Sequence, residues 1–170
     1  MRLTLKPFGP VDPALLEHLR EKLTVFDEVV VAPEAPLPAS AFDKKRGQYR
    51  ASSLEDLCDR EEGDRVLGVT AADLYELPHN FVFGHARIQG RDAVISVARL
   101  KDGNPDKLWD RAVKEAIHEL GHTLGLLHDE ENPRCVIHFS RNLADTDRKG
   151  RDFCEKCEDA AAFTWKRLRR

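Results

Sequence analysis

Two histidines and a glutamate fall within the run His118-Glu119-Leu120-Gly121-His122, and a third histidine follows at His128. A helix advances about 3.6 residues per turn, so His118 and His122 stand one turn apart on one face. Both imidazoles can then reach a single metal ion. Glu119 stands beside the first of them, where a carboxylate can polarise a water held by that metal. Gly125 can take the left-handed backbone conformation that ends a helix. The chain can then turn back and deliver His128 as a third ligand. Three protein nitrogens on zinc leave one tetrahedral position open for water, the arrangement of a catalytic rather than a structural site. The five fixed residues at this spacing arise by chance in on the order of one chain in a hundred thousand.

A second group lies downstream. Cys154-Glu155-Lys156-Cys157 is half of a structural zinc site, because one tight turn aims both thiolates inward. A closed site needs two more ligands, and Cys135 is the obvious third. The fourth is either Asp129 or His138. Spacing alone favours His138, since Cys135-Val136-Ile137-His138 mirrors the C-x-x-C. Either choice pins residues 129–157 without a large core. Cys58 has no cysteine or histidine partner at ligand spacing and reads as a core residue.

These side chains need a scaffold, and the flanking sequence supplies its elements. Asn104-Pro105-Asp106 feeds a long helix whose buried stripe is Trp109, Val113, Ala116, Ile117, Leu120 and Leu124, with the histidines beside it. Upstream, Phe81 to Ile88 and Ala93 to Leu100 read as strands joined by Gln89-Gly90-Arg91, a hairpin forming a cleft wall. Its open edge could add an extended peptide as a further strand; an interior strand pair is the competing reading. His85 is expected to point outward rather than to bind metal. Residues 2–8 alternate as a half-buried strand, and Asp12-Pro13 opens a helix carrying Leu15, Leu16, Leu19 and Leu23. Val29-Val30-Val31 reads as a buried strand ended by Pro33, and 33–38 as a loop near the cleft rim. Ser53 with Asp56 opens a further helix, and Arg65 to Val69 forms another strand. A closing helix from Glu158 turns Ala161, Ala162, Trp165 and Leu168 inward. Its basic end, Lys166, Arg167, Arg169 and Arg170, matches the helix dipole.

Composition narrows the class. The 170 residues suffice for one domain with a real core, with room for two lobes around a cleft. A net charge of −3 gives no general attraction to nucleic acid or anionic membrane. No stretch has the apolar length of a signal peptide or a membrane span, so a cytoplasmic protein is expected. Cysteines in such a protein point to metal or free thiol before disulfide.

The whole pattern resembles the archaemetzincins, a metzincin-type family of zinc peptidases. The resemblance rests on His118 through His128, Cys135-Val-Ile-His-Phe-Ser140, Asp147-Arg-Lys149 and Phe153-Cys-Glu-Lys-Cys157. It extends upstream to Asn80-Phe-Val-Phe-Gly-His-Ala86 and Ser96-Val-Ala-Arg-Leu100. It implies an α+β, metzincin-like fold of one domain, residues 1–170. An upper lobe of about 1–125 would hold a mixed twisted sheet and the zinc helix, and a small lower lobe of about 126–170 would be knit by a second zinc. It implies two zinc ions per chain, one catalytic on His118, His122 and His128, and one structural. The family pattern has a cysteine directly after the third histidine. Here that position is Asp129, so Asp129 inherits the fourth structural ligand role, with His138 the alternative. Ile137 stands where a methionine is expected beneath the catalytic metal and can fill similar volume.

The function expected is hydrolysis of peptide bonds, with Glu119 as general base toward the attacking water. The partner is a peptide or protein substrate, with no nucleic acid or membrane, and the protein is expected to be a monomer. The competing reading is a zinc-stabilised binding module that has lost turnover. Glu119 argues against it, since a purely structural three-histidine site has no need of a carboxylate there.

Overall fold

The structure is a computed structural model that describes residues 1–168. Its centre is a five-stranded sheet. Four strands run parallel: β1 (Arg2–Phe8), β2 (Glu28–Val31), β5 (Arg65–Thr70) and β8 (Asp92–Ser96). The fifth, β7 (Gly84–Ala86), pairs antiparallel with β8 and forms an edge, giving the order β2-β1-β5-β8-β7. Short strands β3 (Phe42–Asp43), β4 (Gln48–Arg50) and β6 (Leu74–Tyr75) make a separate sheet in the order β3-β4-β6.

Strand alternation divides the core into two layers. Leu3, Leu5, Leu67, Val69, Ala93 and Ile95 face one side, where they meet α1 (Pro13–Lys22) and α3 (Pro105–Thr123). Phe8, Val66 and Val94 face the other, against Leu54 and Cys58 of α2 (Ala51–Cys58). Side chains of successive strand residues point to opposite faces, so a two-sided apolar pattern requires cover on both. This explains why β1 is buried on both faces, not half-buried as its alternation suggests: Thr4 and Lys6 are enclosed as well. Conversely, β2 is the far edge, and Val31 is 41% exposed where a buried strand is expected.

The long helix begins and ends on explicit signals. The Asn104 side chain accepts the Asp106 and Lys107 amides, and Pro105 occupies the first turn. At its end Gly125 has φ +92°, the Leu126 amide bonds the Gly121 carbonyl, and the Gly125 amide bonds the His122 carbonyl. That is a Schellman closure, which only a residue tolerant of positive φ completes without strain.

A buried ion group ties α3 to the segments on either side of it. Arg111, 1% exposed, donates to Asp147 at 2.6 and 2.7 Å, to Asp102 at 2.7 Å and to the Leu100 carbonyl. Asp147 lies in α4 (Leu143–Arg148). With two carboxylates and a carbonyl on one guanidinium, the buried charge keeps a partner if either aspartate is lost. Beyond α3, Leu124, Leu126, Cys135, Ile137, Cys157 and Ala161 form a small separate cluster that includes the start of α5 (Glu155–Leu168).

Several boundaries differ from expectation. The strand read over Phe81 to Ile88 shortens to β7, while Val82 makes an isolated bridge to Leu74. The strand read from Ala93 starts at Asp92 and stops at Ser96. Helix α2 starts at Ala51, ahead of Ser53; its N-cap residue Arg50 offers no side-chain hydrogen bond, and Glu76 accepts the Ser52 amide instead. The loop 33–38 packs on the α2 side, where Leu37 sits against Gly9, away from the cleft. The closing helix starts at Glu155, with Ala161 buried. Arg169 and Arg170, and the side chains of Arg167 and Leu168, lie outside the described residues.

Candidate metal centres and cleft

His118 and His122 project from the last turns of α3, and the Schellman turn returns the chain so that His128 meets them. One ligand atom from each of the three lies within 4.8 Å of the others, and the Nε2 atoms of His118 and His122 are 3.2 Å apart. The opposite ring nitrogens are held. His118 Nδ1–H donates to the Val136 carbonyl at 2.8 Å, and His122 Nδ1–H donates to the Leu126 carbonyl at 2.7 Å. Those bonds fix the tautomer and aim each Nε2 lone pair inward, as a metal requires. Burial lowers the pKa of His118 well below the usual imidazole range, helped by the Lys149 charge, and burial lowers His122 too. His128 is exposed at the rim, yet desolvation of its ring among the other imidazoles and Phe139, then repulsion from His122, hold it at about 4. All three are therefore neutral near pH 7, the form that ligates. The donor set fits a divalent metal with an open position.

Glu119 is 5% exposed, and burial raises its pKa well above the usual carboxylate value, with the neighbouring Glu115 adding to the rise. It borders a cleft of about 560 Å³ shared with the three histidines and walled by Phe81 to Ala86 on one side and Phe139 to Arg141 on the other. Gly84 of the edge strand lies directly over it. A Cβ built at Gly84 would stand 2.6 Å from the Glu119 Cγ and Oε1. The glycine is thus what lets edge strand and carboxylate share the space. Sequence reasoning missed this residue, although an isolated glycine within an apolar strand run is the signal of such a close approach.

Under the site, Lys149 Nζ, fully buried, donates to Glu115 Oε1 at 3.5 Å and lies 3.4 Å from His118 Nδ1. That nitrogen already donates its hydrogen to Val136, so the lysine acts on the ring as a nearby charge. Burial raises the pKa of Glu115 even against the lysine. His85 lines the same cleft but is not grouped with the three imidazoles. Its Nδ1 pairs at 2.5 Å with Glu55 of α2, which is fully buried and also lies 3.4 Å from Arg87.

Asp129, Cys135, Cys154 and Cys157 form the second group, with one donor atom of each within 4.8 Å of the rest. Cys154 Sγ is 3.2 Å from Asp129 Oδ2, and Cys157 Sγ is 3.9 Å from the same oxygen. The Cys154 hydrogen bond holds the Asp129 carboxyl below its usual range, while burial pushes the Cys157 thiol up to about 12. Three sulfurs and one carboxylate oxygen suit zinc. His138, favoured by spacing, is turned elsewhere: its Nδ1–H donates to the Asp129 backbone carbonyl at 2.7 Å. Ile137 is fully buried, and Gly121 sits tightly against Ile137 and Phe153, joining α3 to the segment that carries the second group.

The chain is similar to known proteins along most of its length. The model of Peptidase family M54 matches residues 23–161. Archaemetzincin from Methanopyrus kandleri is 47% identical, with 98% of this chain and 99% of that protein covered. Archaemetzincin from Methanocaldococcus jannaschii is 42% identical over 92% of this chain and 90% of its own length. The crystal structure of the Methanopyrus protein superposes with a TM-score of 0.90 at 43% identity, covering 98% of this chain and 96% of that one. That of the Archaeoglobus fulgidus archaemetzincin, complexed with malonate, gives 0.85 at 36% identity, covering 94% and 99%. With its α+β fold and its histidine cluster already described, the chain belongs to the archaemetzincins, the zinc metallopeptidases of peptidase family M54.

Proposed function

We propose that this chain hydrolyses peptide bonds at the three-histidine site, with Glu119 as the general base. The observation that carries the proposal is the convergence of three oriented imidazoles beside one buried carboxylate in an open cleft. His118, His122 and His128 would hold the zinc ion. When bound, zinc supplies Lewis acidity, lowering the pKa of water from 15.7 toward about 7 and polarising a carbonyl oxygen. Glu119 accepts a proton at a carboxylate oxygen as the water attacks the scissile carbon. It then hands the proton to the departing amine nitrogen, so the carboxylate returns to its starting form. The edge strand β7, antiparallel and open on one side, suits backbone pairing with an extended peptide laid along the cleft.

The reading includes a second, structural zinc on Asp129, Cys135, Cys154 and Cys157, and a division at about residue 125 into a sheet-bearing upper lobe and a metal-knit lower lobe. It takes the protein as a cytoplasmic monomer. Among the described residues no helix is long and apolar enough to cross a membrane. A peptide-library digest compared between the zinc-loaded chain and Glu119→Gln tests the proposal. Cleavage by the first and not the second is expected; equal cleavage by both overturns it.

A further inference from the structure

The cleft carries more charge than its catalytic groups need, and most of it is already matched. Glu76 accepts Arg50 Nε at 3.0 Å and the Ser52 amide at 2.8 Å. Glu115 accepts from Lys149 and Thr146, and Glu119 is enclosed beneath Gly84. One cleft cation stands outside these pairs. Arg141 is exposed on the cleft wall, and its guanidinium makes no hydrogen bond or ion pair with any described residue.

Its base is nonetheless fixed. The Arg141 amide donates to Asp145 Oδ2 at 3.0 Å, and the next residue, Asn142, caps α4 through its side chain. The other Asp145 oxygen lies 3.7 Å from Arg148, so the nearest carboxylate along the chain is engaged. Two residues earlier, Phe139 packs on the ring of His128 with centroids 5.0 Å apart, which sets this wall against the metal site. Ser140, between them, keeps a buried hydroxyl with no partner. The surrounding rim is apolar: Leu77, Ile88 and Leu127 line the same cleft and are 61%, 47% and 69% exposed. A guanidinium in such a setting offers a planar fork of donors that matches a carboxylate in bidentate fashion.

We infer that Arg141 is a specificity-determining residue, selecting peptides that present a carboxylate to the lower wall of the cleft. The carboxylate comes from an acidic side chain or from the peptide's C-terminus. The inference rests on the proposed peptidase function. An exposed ion pair is worth up to about fivefold in affinity, and screening erodes it at high salt.

The test separates binding from turnover. Zinc-loaded Glu119→Gln protein is titrated with fluorescently labelled, alanine-based octapeptides carrying a central Leu-Leu. One Glu or Gln is moved through the other positions, and each peptide is made with a free or an amidated C-terminus. About fivefold tighter binding is expected for a carboxylate-bearing form at low salt. That preference should vanish in Glu119→Gln/Arg141→Gln and survive in part in Glu119→Gln/Arg141→Lys. A Glu-over-Gln difference among amidated peptides identifies a side chain as the source; a free-over-amidated difference identifies the terminus. No preference, a preference unchanged by Arg141→Gln, or no binding of any peptide overturns the inference. If the preference holds but the wild-type chain cleaves none of these peptides, the selective role stands and the hydrolytic reading falls.

Discussion

The three-histidine group and the Asp129–cysteine group use opposite means to gather their donors. The first draws two candidate donors from one rigid helix, and backbone carbonyls of Val136 and Leu126 aim the rings. Its donors are neutral and aimed before any metal arrives. The second draws four candidate donors from separated loops and the start of α5, within a cluster of few apolar residues. There a thiol held up at about 12 must lose its proton for the metal to bind. Preorganisation suits a site that must keep a position open for chemistry. Dependence on the ion suits a lobe with little else to hold it.

The largest expected effect falls on the first group alone. Glu119→Gln should lower kcat/KM for peptide cleavage by about a thousandfold or more while the metal content stays unchanged. Comparable turnover in the variant would remove the contrast between a working site and a structural one. Next is Gly84→Ala. Its methyl would intrude on the Glu119 carboxyl, so a fall of about a hundredfold in kcat is expected with zinc retained. Unchanged kcat would show that the carboxylate has room to spare.

Acidity should then separate the two groups by slope. The lowered imidazole pKa values of His118 and His122, with His128 at about 4, postpone proton competition, so affinity at the first group should stay nearly flat from pH 8 to 6.5. At the second, displacing the Cys157 proton alone weakens binding by about tenfold for each unit of falling pH. Chelator competition on Cys157→Ser and on His118→Ala measures each group by itself; parallel curves would abolish the distinction. The smallest change concerns His138. His138→Ala should keep both metal equivalents, whereas Asp129→Ala should lower occupancy at the second group, read by metal counting. The reverse result would make the histidine the ligand.

The helix and its histidines were legible because a single local period carries them: cap, proline, apolar stripe and closing glycine all lie between Asn104 and Gly125. The C-x-x-C was legible for the same reason. The fourth donor was not legible from spacing, which leaves Asp129 and His138 both within reach; only position in the family pattern favoured Asp129. Their difference lies in which way each side chain turns after a loop closes. Strand existence was mostly readable, but burial was not. Thr4 and Lys6 alternate like surface residues and become enclosed because the chain just after α2 and loop 33–38 close over them: Thr4 Oγ1 donates to the Glu62 carbonyl, and Lys6 Nζ reaches the Pro33 carbonyl and Glu61. The role of Gly84 depends on a helix far along the chain, so the sequence offers only the hint of a strand glycine. Arg141 becomes informative only once the charges around it are matched.

The turn between β7 and β8 also touches the end of α3: the Gln89 amide donates to the carbonyl of His122 at 2.9 Å, and the Gln89 side chain lies against Gly125. The strand that would grip a peptide and the backbone of a metal ligand are therefore fastened together. Pulling that side of the cleft outward would drag His122 with it. The opposite wall is tied to the site as well, since Phe139 packs on the ring of His128, so a peptide bulky enough to spread the cleft would be felt at the histidines from either side.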